Sequence, residues 1–380
     1  MKKKVLILNT KYTIFGGEDA NIEQEIKLLE KEFEIEYLEF KNKKYLNFYD
    51  IISFFVGNNF QSNKILKQRL SKFNPDIVYV HNTWYKAGLG VFNILEKHKS
   101  KNVLKIHNFR YDCTRYFLSK NHLAGDEQCK KCGYTKIDNK FFNKYFPKSY
   151  LKSFFAILYG KKYFKILKNN SINIIVLNRF HKNYLLKTGV TKKAHIVSNP
   201  LNLEKIKNNY NSQSTNIVYA GQVSEQKGID SLLEAWSKFQ KKNLVLNIIG
   251  AIVDEKLIKN NKNINFLGEL SNFETLEMIS KARAVITTTK MYEGQPRLLS
   301  EASILGIPSI FPSFGGMDEY FPNNYPFKYI QYDYQNLDSK LNKLHNIELL
   351  VQVSKEITDN YKSKFNNEIS LNNLKKVFES

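Results

Sequence analysis

Asn216-Ile-Val-Tyr-Ala-Gly-Gln-Val-Ser-Glu-Gln-Lys-Gly-Ile-Asp230 runs from a short apolar segment through a glycine turn and a lysine into a segment of helical pattern. An unbroken apolar run of this length suits a strand covered on both faces, as in a parallel sheet. The turn after it would gather backbone N–H groups, a helix N-terminus and the Lys227 ammonium, an arrangement suited to a diphosphate. A glycine at such a turn is also common for structural reasons alone.

The same alternation continues downstream. Leu244–Ile249, Ile264–Leu267, Ala284–Thr288 and Ile307–Phe311 read as strands, with helical patterns over Ser231–Lys241, Phe273–Ala282 and Pro296–Leu305. Upstream, Lys4–Asn9, Asp76–His81, Asn102–His107, Asn173–Leu177 and Ala194–Val197 read as strands. Gly16-Gly17 forms a loop after the first of them, followed by a helical pattern with apolar Ile22, Ile26, Leu29 and Phe33. Ser198-Asn199-Pro200 breaks the array, and the polar stretch through Ser214 reads as a linker. Alternating strands and helices predict parallel sheets with right-handed crossovers. The expectation is an α/β chain of two Rossmann-like domains, residues 1–200 and 201–360, with ligands at the strand C-termini in a cleft between them. A length of 380 residues also exceeds what one core usually organises.

Charge divides the chain in the same place. Of a net +22, residues 1–200 carry 37 Lys and Arg against 16 Asp and Glu, while residues 201–380 carry 21 against 20. No stretch reaches the roughly 20 apolar residues of a membrane span, and the N-terminus lacks a signal-peptide pattern. A cytoplasmic protein is expected, with Cys113, Cys129 and Cys132 as thiols or metal ligands rather than disulfides. Cys129-Lys-Lys-Cys132, with Cys113 and His122, would suit a structural zinc; the alternative is reduced thiols in a loop. Residues 140–168 interleave aromatics with lysines and contain no acidic residue. They suit docking on anionic lipid headgroups at the inner face of a membrane, or a core helix whose lysines point to solvent.

Glu293-Gly-Gln-Pro-Arg-Leu-Leu-Ser-Glu301 places one carboxylate in a loop after a strand and a second on the following helix. Carboxylates accept hydrogen bonds and pair well with sugar hydroxyls, while the helix N-terminus between them offers N–H groups to phosphate. Taken in order, Tyr219-Ala-Gly221-x5-Lys227-Gly-Ile-Asp230, the strand 265–268, Tyr292-Glu-Gly294-x6-Glu301-Ala302, Gly306-Ile-Pro-Ser309 and Gly315-Gly-Met-Asp-Glu319 form a series. It resembles the retaining family-4 glycosyltransferases of the GT-B fold, most densely over residues 216–322.

That resemblance implies a hexosyl-type transferase that moves a sugar from a nucleotide-diphosphate donor to a hydroxyl acceptor. Bacterial surface polysaccharide or lipid-linked glycan synthesis would be its setting. Lys227 would bind the diphosphate, Glu301 the ribose hydroxyls, and Glu293 would face the transferred sugar near its reacting carbon. Amides of Gly294, Gln295, Pro296 (as neighbour), Arg297 and Leu298 would line the phosphates, and Leu267 the base. Gly16 and Gly17 would let the first domain approach the donor, and His107 would lie beside the sugar. No cofactor would be required for catalysis, and the tail, about residues 360–380, would pack back on the first domain. One departure is Gln222, where the family usually has arginine; Arg297 is the candidate replacement. Gln222 also motivates a second reading, a non-catalytic partner of a related transferase. The charge alone would suit a nucleic-acid-binding protein, which leaves the near-neutral second half and its motif order unexplained.

Overall fold

The computed structural model describes residues 2–13, 16–43, 48–109, 150–169, 171–187, 189–190, 194–201, 210–239, 243–258 and 262–380. The cysteines, His122 and residues 140–149 of the lysine–aromatic stretch lie outside the described residues. Backbone contacts divide the chain into two compact units, residues 1–200 with 367–380, and residues 201–366.

The first unit runs β1 (Lys4–Lys11), α1 (Gly17–Leu29), β2 (Glu34–Lys41), α2 (Phe48–Val56), α3 (Phe60–Phe73), β3 (Ile77–Val80), α4 (Gly90–Leu95), β4 (Lys101–Lys105), α5 (Tyr150–Leu167), β5 (Ile172–Val176), α6 (Arg179–Lys187) and β6 (Ala194–Ile196). Its strands form one parallel sheet in the order β2-β1-β3-β4-β5-β6. Val5, Leu6, Ile7 and Leu8 of β1 are wholly buried, as an apolar run in a sheet covered on both faces should be. Two readings from the sequence are corrected here. The first helix ends at Leu29, so Phe33 is not on it; Phe33 is buried at the entry to β2 and meets Phe378 edge-on. β2 itself was not expected, because its alternating Glu34-Ile-Glu-Tyr-Leu-Glu-Phe-Lys41 carries the charges tolerated only at a sheet edge.

The second unit runs β7 (Asn216–Ala220), α7 (Ile229–Lys238), β8 (Val245–Ile249), β9 (Ile264–Gly268), α8 (Asn272–Ser280), β10 (Ala284–Ile286), α9 (Arg297–Ile304), β11 (Ser309–Pro312), β12 (Lys328–Tyr329), α10 (Tyr334–Lys343) and α11 (Ile347–Phe365). Its sheet order is β12-β11-β10-β7-β8-β9, again all parallel. The strand order reverses between β7 and β10, and in the first sheet between β1 and β3. In open sheets of this kind such reversals leave a crevice beyond the strand C-termini, where ligands bind.

The last helix, α12 (Asn367–Glu379), belongs to the first unit. Leu374, Val377 and Phe378 join Val5, Ile7 and Tyr79 in one core, and Lys375 pairs with Glu32 at 2.9 Å. Among the described residues no helix is long and apolar enough to cross a membrane.

Candidate functional site

At the reversal of the second sheet, two βα loops are stitched together by backbone groups. Gly228 has φ of +71°, and a Cβ there would lie 1.9 Å from the Thr288 carbonyl oxygen. Only glycine therefore lets the loop after β7 reach the end of β10. Thr288 Oγ1 donates to the Gly228 carbonyl at 2.7 Å, and the Lys290 N–H donates to the Gln226 carbonyl at 3.1 Å. Gly315, at φ +67°, is likewise required, since a Cβ would sit 2.3 Å from the Tyr292 ring.

This stitching brings Lys227 to Glu293. Their Nζ and Oε1 atoms are 2.6 Å apart, and both side chains are partly exposed. Thr289 Oγ1 donates to the same carboxylate oxygen at 3.3 Å, which fixes its orientation. Beside them Lys290, in the loop after β10, pairs with Asp230 in the first turn of α7 at 2.7 Å.

Pro296 caps the start of α9, and Arg297 and Glu301 stand one turn apart on it. Arg297 Nε donates to Glu301 Oε1 at 2.5 Å, and Nη2 donates to Asn272 Oδ1 at 3.0 Å. Nη1 is buried and has no hydrogen-bond partner among the described residues. Burial pushes the Glu301 carboxyl above its ordinary range, while the adjacent guanidinium pulls the other way. The remaining motif residues act as framework. Gln295 Nε2 donates to the Tyr361 hydroxyl on α11 at 3.0 Å, Tyr320 donates to the Gly294 carbonyl at 3.0 Å, and Leu298 is buried. Gln222 is exposed, and its carbonyl accepts from Tyr219 at 3.0 Å. Leu267 is partly exposed near the end of β9, the edge strand that leads into α8 and Asn272.

Two acid–base pairs thus stand at the C-terminal edge of a reversed parallel sheet. Residues 202–363 match the family described as Glycosyl transferases group 1. A relative, the amylovoran biosynthesis glycosyltransferase AmsD of Erwinia amylovora, is 26% identical over 147 residues, which are 36% of this chain and 42% of that protein. Sucrose-phosphate synthase from Thermosynechococcus elongatus has a similar fold, with a TM-score of 0.72 at 13% identity over 100% of this chain and 98% of its own. HepE from Anabaena, solved with UDP and glucose, gives 0.69 at 12% identity over 100% of both chains. The two six-stranded parallel sheets are thus those of the GT-B glycosyltransferase fold.

The group 1 match does not reach the first unit, whose reversal point is furnished differently. Glu25 of α1, Tyr79 of β3 and Lys105 of β4 are wholly buried together. Lys105 Nζ donates to both Glu25 oxygens, at 2.8 and 3.1 Å, and the Tyr79 hydroxyl donates to Oε1 at 3.0 Å. His81 Nε2 lies 4.0 Å from Glu25 Oε2, and His81 Nδ1 is 2.9 Å from His107 Nε2. Burial, aided by the nearby Lys105 cation, depresses both imidazoles well below their ordinary pKa. The two histidines line a depression with Glu18, Asn82, Trp84, Asn108 and Tyr159. His107 was singled out in the sequence; Glu25, Tyr79 and Lys105 were missed. Lysine ending a strand and glutamate within a helix give no local signal, because the network joins three separate elements.

Gly16 is the residue before α1, and Gly17 opens the helix, where a loop was expected. A Cβ on Gly16 would meet nothing within 4 Å among the described residues, so none of them demands glycine there. Among the described residues no cluster of three metal-ligating side chains occurs.

Proposed function

We propose that this chain is a retaining glycosyltransferase that moves a hexosyl group from a nucleotide-diphosphate sugar to a hydroxyl of a glycan or lipid-linked acceptor. The observation that carries the reading is the pair of ion pairs, Lys227–Glu293 and Arg297–Glu301, at the strand reversal of a domain matching the group 1 family. Lys227 neutralises the departing diphosphate, and Glu293, fixed by Thr289, accepts from hydroxyls of the transferred sugar. Glu301 keeps Oε2 for the ribose while Oε1 holds Arg297. The unpartnered Nη1 of Arg297 supplies the phosphate contact that Gln222 cannot, which favours a catalytic protein over a non-catalytic partner.

Transfer breaks the bond between the anomeric carbon and the phosphate oxygen, and the acceptor oxygen bonds to the same face. The leaving phosphate takes the acceptor's proton, so the step balances without a covalent enzyme intermediate. Lys227, Arg297 and the N–H groups opening α9 stabilise the charge on the leaving group. No divalent metal is required, and EDTA should leave the rate unchanged. The name of the Erwinia relative supports polysaccharide synthesis as the setting, and the UDP and glucose bound to HepE support a uridine donor.

The reading includes docking on an anionic membrane from the cytoplasmic side. Phe48, Ile52, Phe55 and Val56 of α2 and Phe60 of α3 are exposed, an unusual apolar display for a water-facing surface. Lys161, Lys162 and Lys165 on α5 and Lys168 just after it are exposed, and Lys162 reaches the Val56 carbonyl at 2.6 Å, so charge and apolar surface adjoin. Anionic liposomes should co-sediment the protein at low salt; a protein left in the supernatant would refute docking. A structural zinc on Cys113, Cys129, Cys132 and His122 remains part of the proposal, to be checked by metal analysis of chelator-free protein.

The donor reading is tested by a thermal-shift screen against UDP, GDP, ADP, CMP and their sugar conjugates, repeated with Glu301→Ala. Binding to the folded state raises Tm. A rise with one nucleotide diphosphate that the variant loses supports the donor site, and no rise with any of them overturns it. The anomeric configuration of the product, read by NMR, tests retention.

A further inference from the structure

The buried network of the first unit determines which nitrogen of His107 carries hydrogen. Glu25 is ion-paired with Lys105 and accepts from Tyr79, so its carboxylate is held in place. Glu25 Oε2 lies 4.0 Å from His81 Nε2, and that nitrogen is buried with no hydrogen-bond partner among the described residues. In a low-dielectric interior an N–H directed at a carboxylate is favoured, and a lone pair so directed is repelled. His81 therefore carries its hydrogen on Nε2, which leaves Nδ1 as an acceptor. The contact of 2.9 Å to His107 can then form only if His107 Nε2 is the donor. A neutral imidazole has one N–H, so the lone pair of His107 falls on Nδ1, the nitrogen turned away from His81. That atom is buried and unpartnered among the described residues.

We infer that Glu25 is a positioning residue that acts through His81 to hold His107 as the Nε2–H tautomer, leaving His107 Nδ1 as a hydrogen-bond acceptor for a ligand hydroxyl. The surroundings fit a polyhydroxylated ligand: Glu18, Asn82 and Asn108 supply polar groups, and Trp84 and Tyr159 supply ring faces. That both rings stay neutral is consistent with burial and with the cation of Lys105. The ligand class rests on the glycosyltransferase reading; the tautomers do not.

The test is ¹⁵N–¹H NMR of histidine-labelled full-length protein, which distinguishes Nε2–H from Nδ1–H rings, with signals assigned by His81→Phe and His107→Gln. Both rings are expected as Nε2–H. A His81 ring protonated on Nδ1 would overturn the inference whether or not the protein transfers sugar. In His81→Phe, His107 loses its acceptor and should populate both tautomers; a pure Nε2–H ring there would also refute it. Glu25→Gln should disturb the His81 signature and lower kcat/KM for transfer about 10-fold with nucleotide affinity unchanged. Disturbed tautomers with full transfer would remove the functional role of Glu25. Expected tautomers in a protein that binds no nucleotide would instead count against the glycosyltransferase reading alone.

Discussion

The two sheets reverse their strand order in the same manner, yet the two crevices hold opposite kinds of chemistry. In the first unit the ionisable groups are sunk into the interior and satisfy one another across α1, β3 and β4. In the second they stand on loop ends and the first turns of helices, paired two by two, and all but the buried Glu301 are at least partly exposed. A closed network resists change and holds geometry; a row of open ion pairs exchanges its partners for a ligand's charges. On the proposed reading the units separate two tasks, fixing an imidazole in the first and receiving phosphate and hydroxyl groups in the second.

The comparison can be broken by mutation, and the largest effect is expected in the first unit. Glu25→Ala leaves Lys105 buried without its counter-charge and should cost about 3–5 kcal/mol. The chain has two tryptophans, Trp84 in the first unit and Trp236 in the second, so urea unfolding followed in Trp236→Phe and Trp84→Phe backgrounds reads each unit separately. The Trp84 transition should move and the Trp236 transition should stay; if both move together, the two interiors are not independent.

Glu293→Gln should act in the reverse sense. Transfer is expected to fall about 100- to 1000-fold, on the order of 3–4 kcal/mol of transition-state stabilisation, with little change in either unfolding transition. A rate within threefold of the parent would remove Glu293 from the chemistry.

Acid sharpens the contrast. His181 of α6 is buried against Phe109, and burial lowers its pKa to about 3. The unfolded chain, with an ordinary histidine near 6.5, binds the proton first, so stability is present above that pH and lost as pH falls towards 3. By pH 5 the loss from His181 is about 2 kcal/mol, and His81 and His107 act in the same direction. Glu301 is shifted upward, so its contribution is lost as pH rises and gives no weakening on acidification. The Trp84 transition should therefore soften first between pH 6.5 and 5, as urea midpoints measured across that range would show.

The smallest effect concerns the donor. Glu301→Ala removes one charge-assisted contact and releases Arg297, and should weaken nucleotide-diphosphate binding about 10-fold by calorimetry.

What the sequence disclosed follows the same line between the units. The α/β class and the parallel sheets were legible because strands such as Val5–Leu8 and Ile217–Tyr219 are apolar on both faces, a pattern that needs no tertiary knowledge. The loop carrying Lys227 and the segment Glu293–Glu301 were legible because each places its groups within a few residues of the others. β2 escaped notice because its charged alternation is what an edge strand has instead of an apolar run. The association of Glu25, Tyr79, Lys105 and His107 was illegible, since only the register of β3 against β4 and the packing of α1 bring those positions together. The engagement of Arg297 with Glu301 was half legible: the spacing of four residues on a helix allows it, but the motif assigns both residues elsewhere.

The place of α12 sets an order of events during synthesis. The core around Val5 and Ile7, made first, is finished by Leu374, Val377 and Phe378, made among the last residues described. On the ribosome the second unit has all its strands and helices before the first has its closing helix. Until then the nascent first unit exposes the apolar groove that α12 fills, and it is a natural client for chaperones that bind such surfaces.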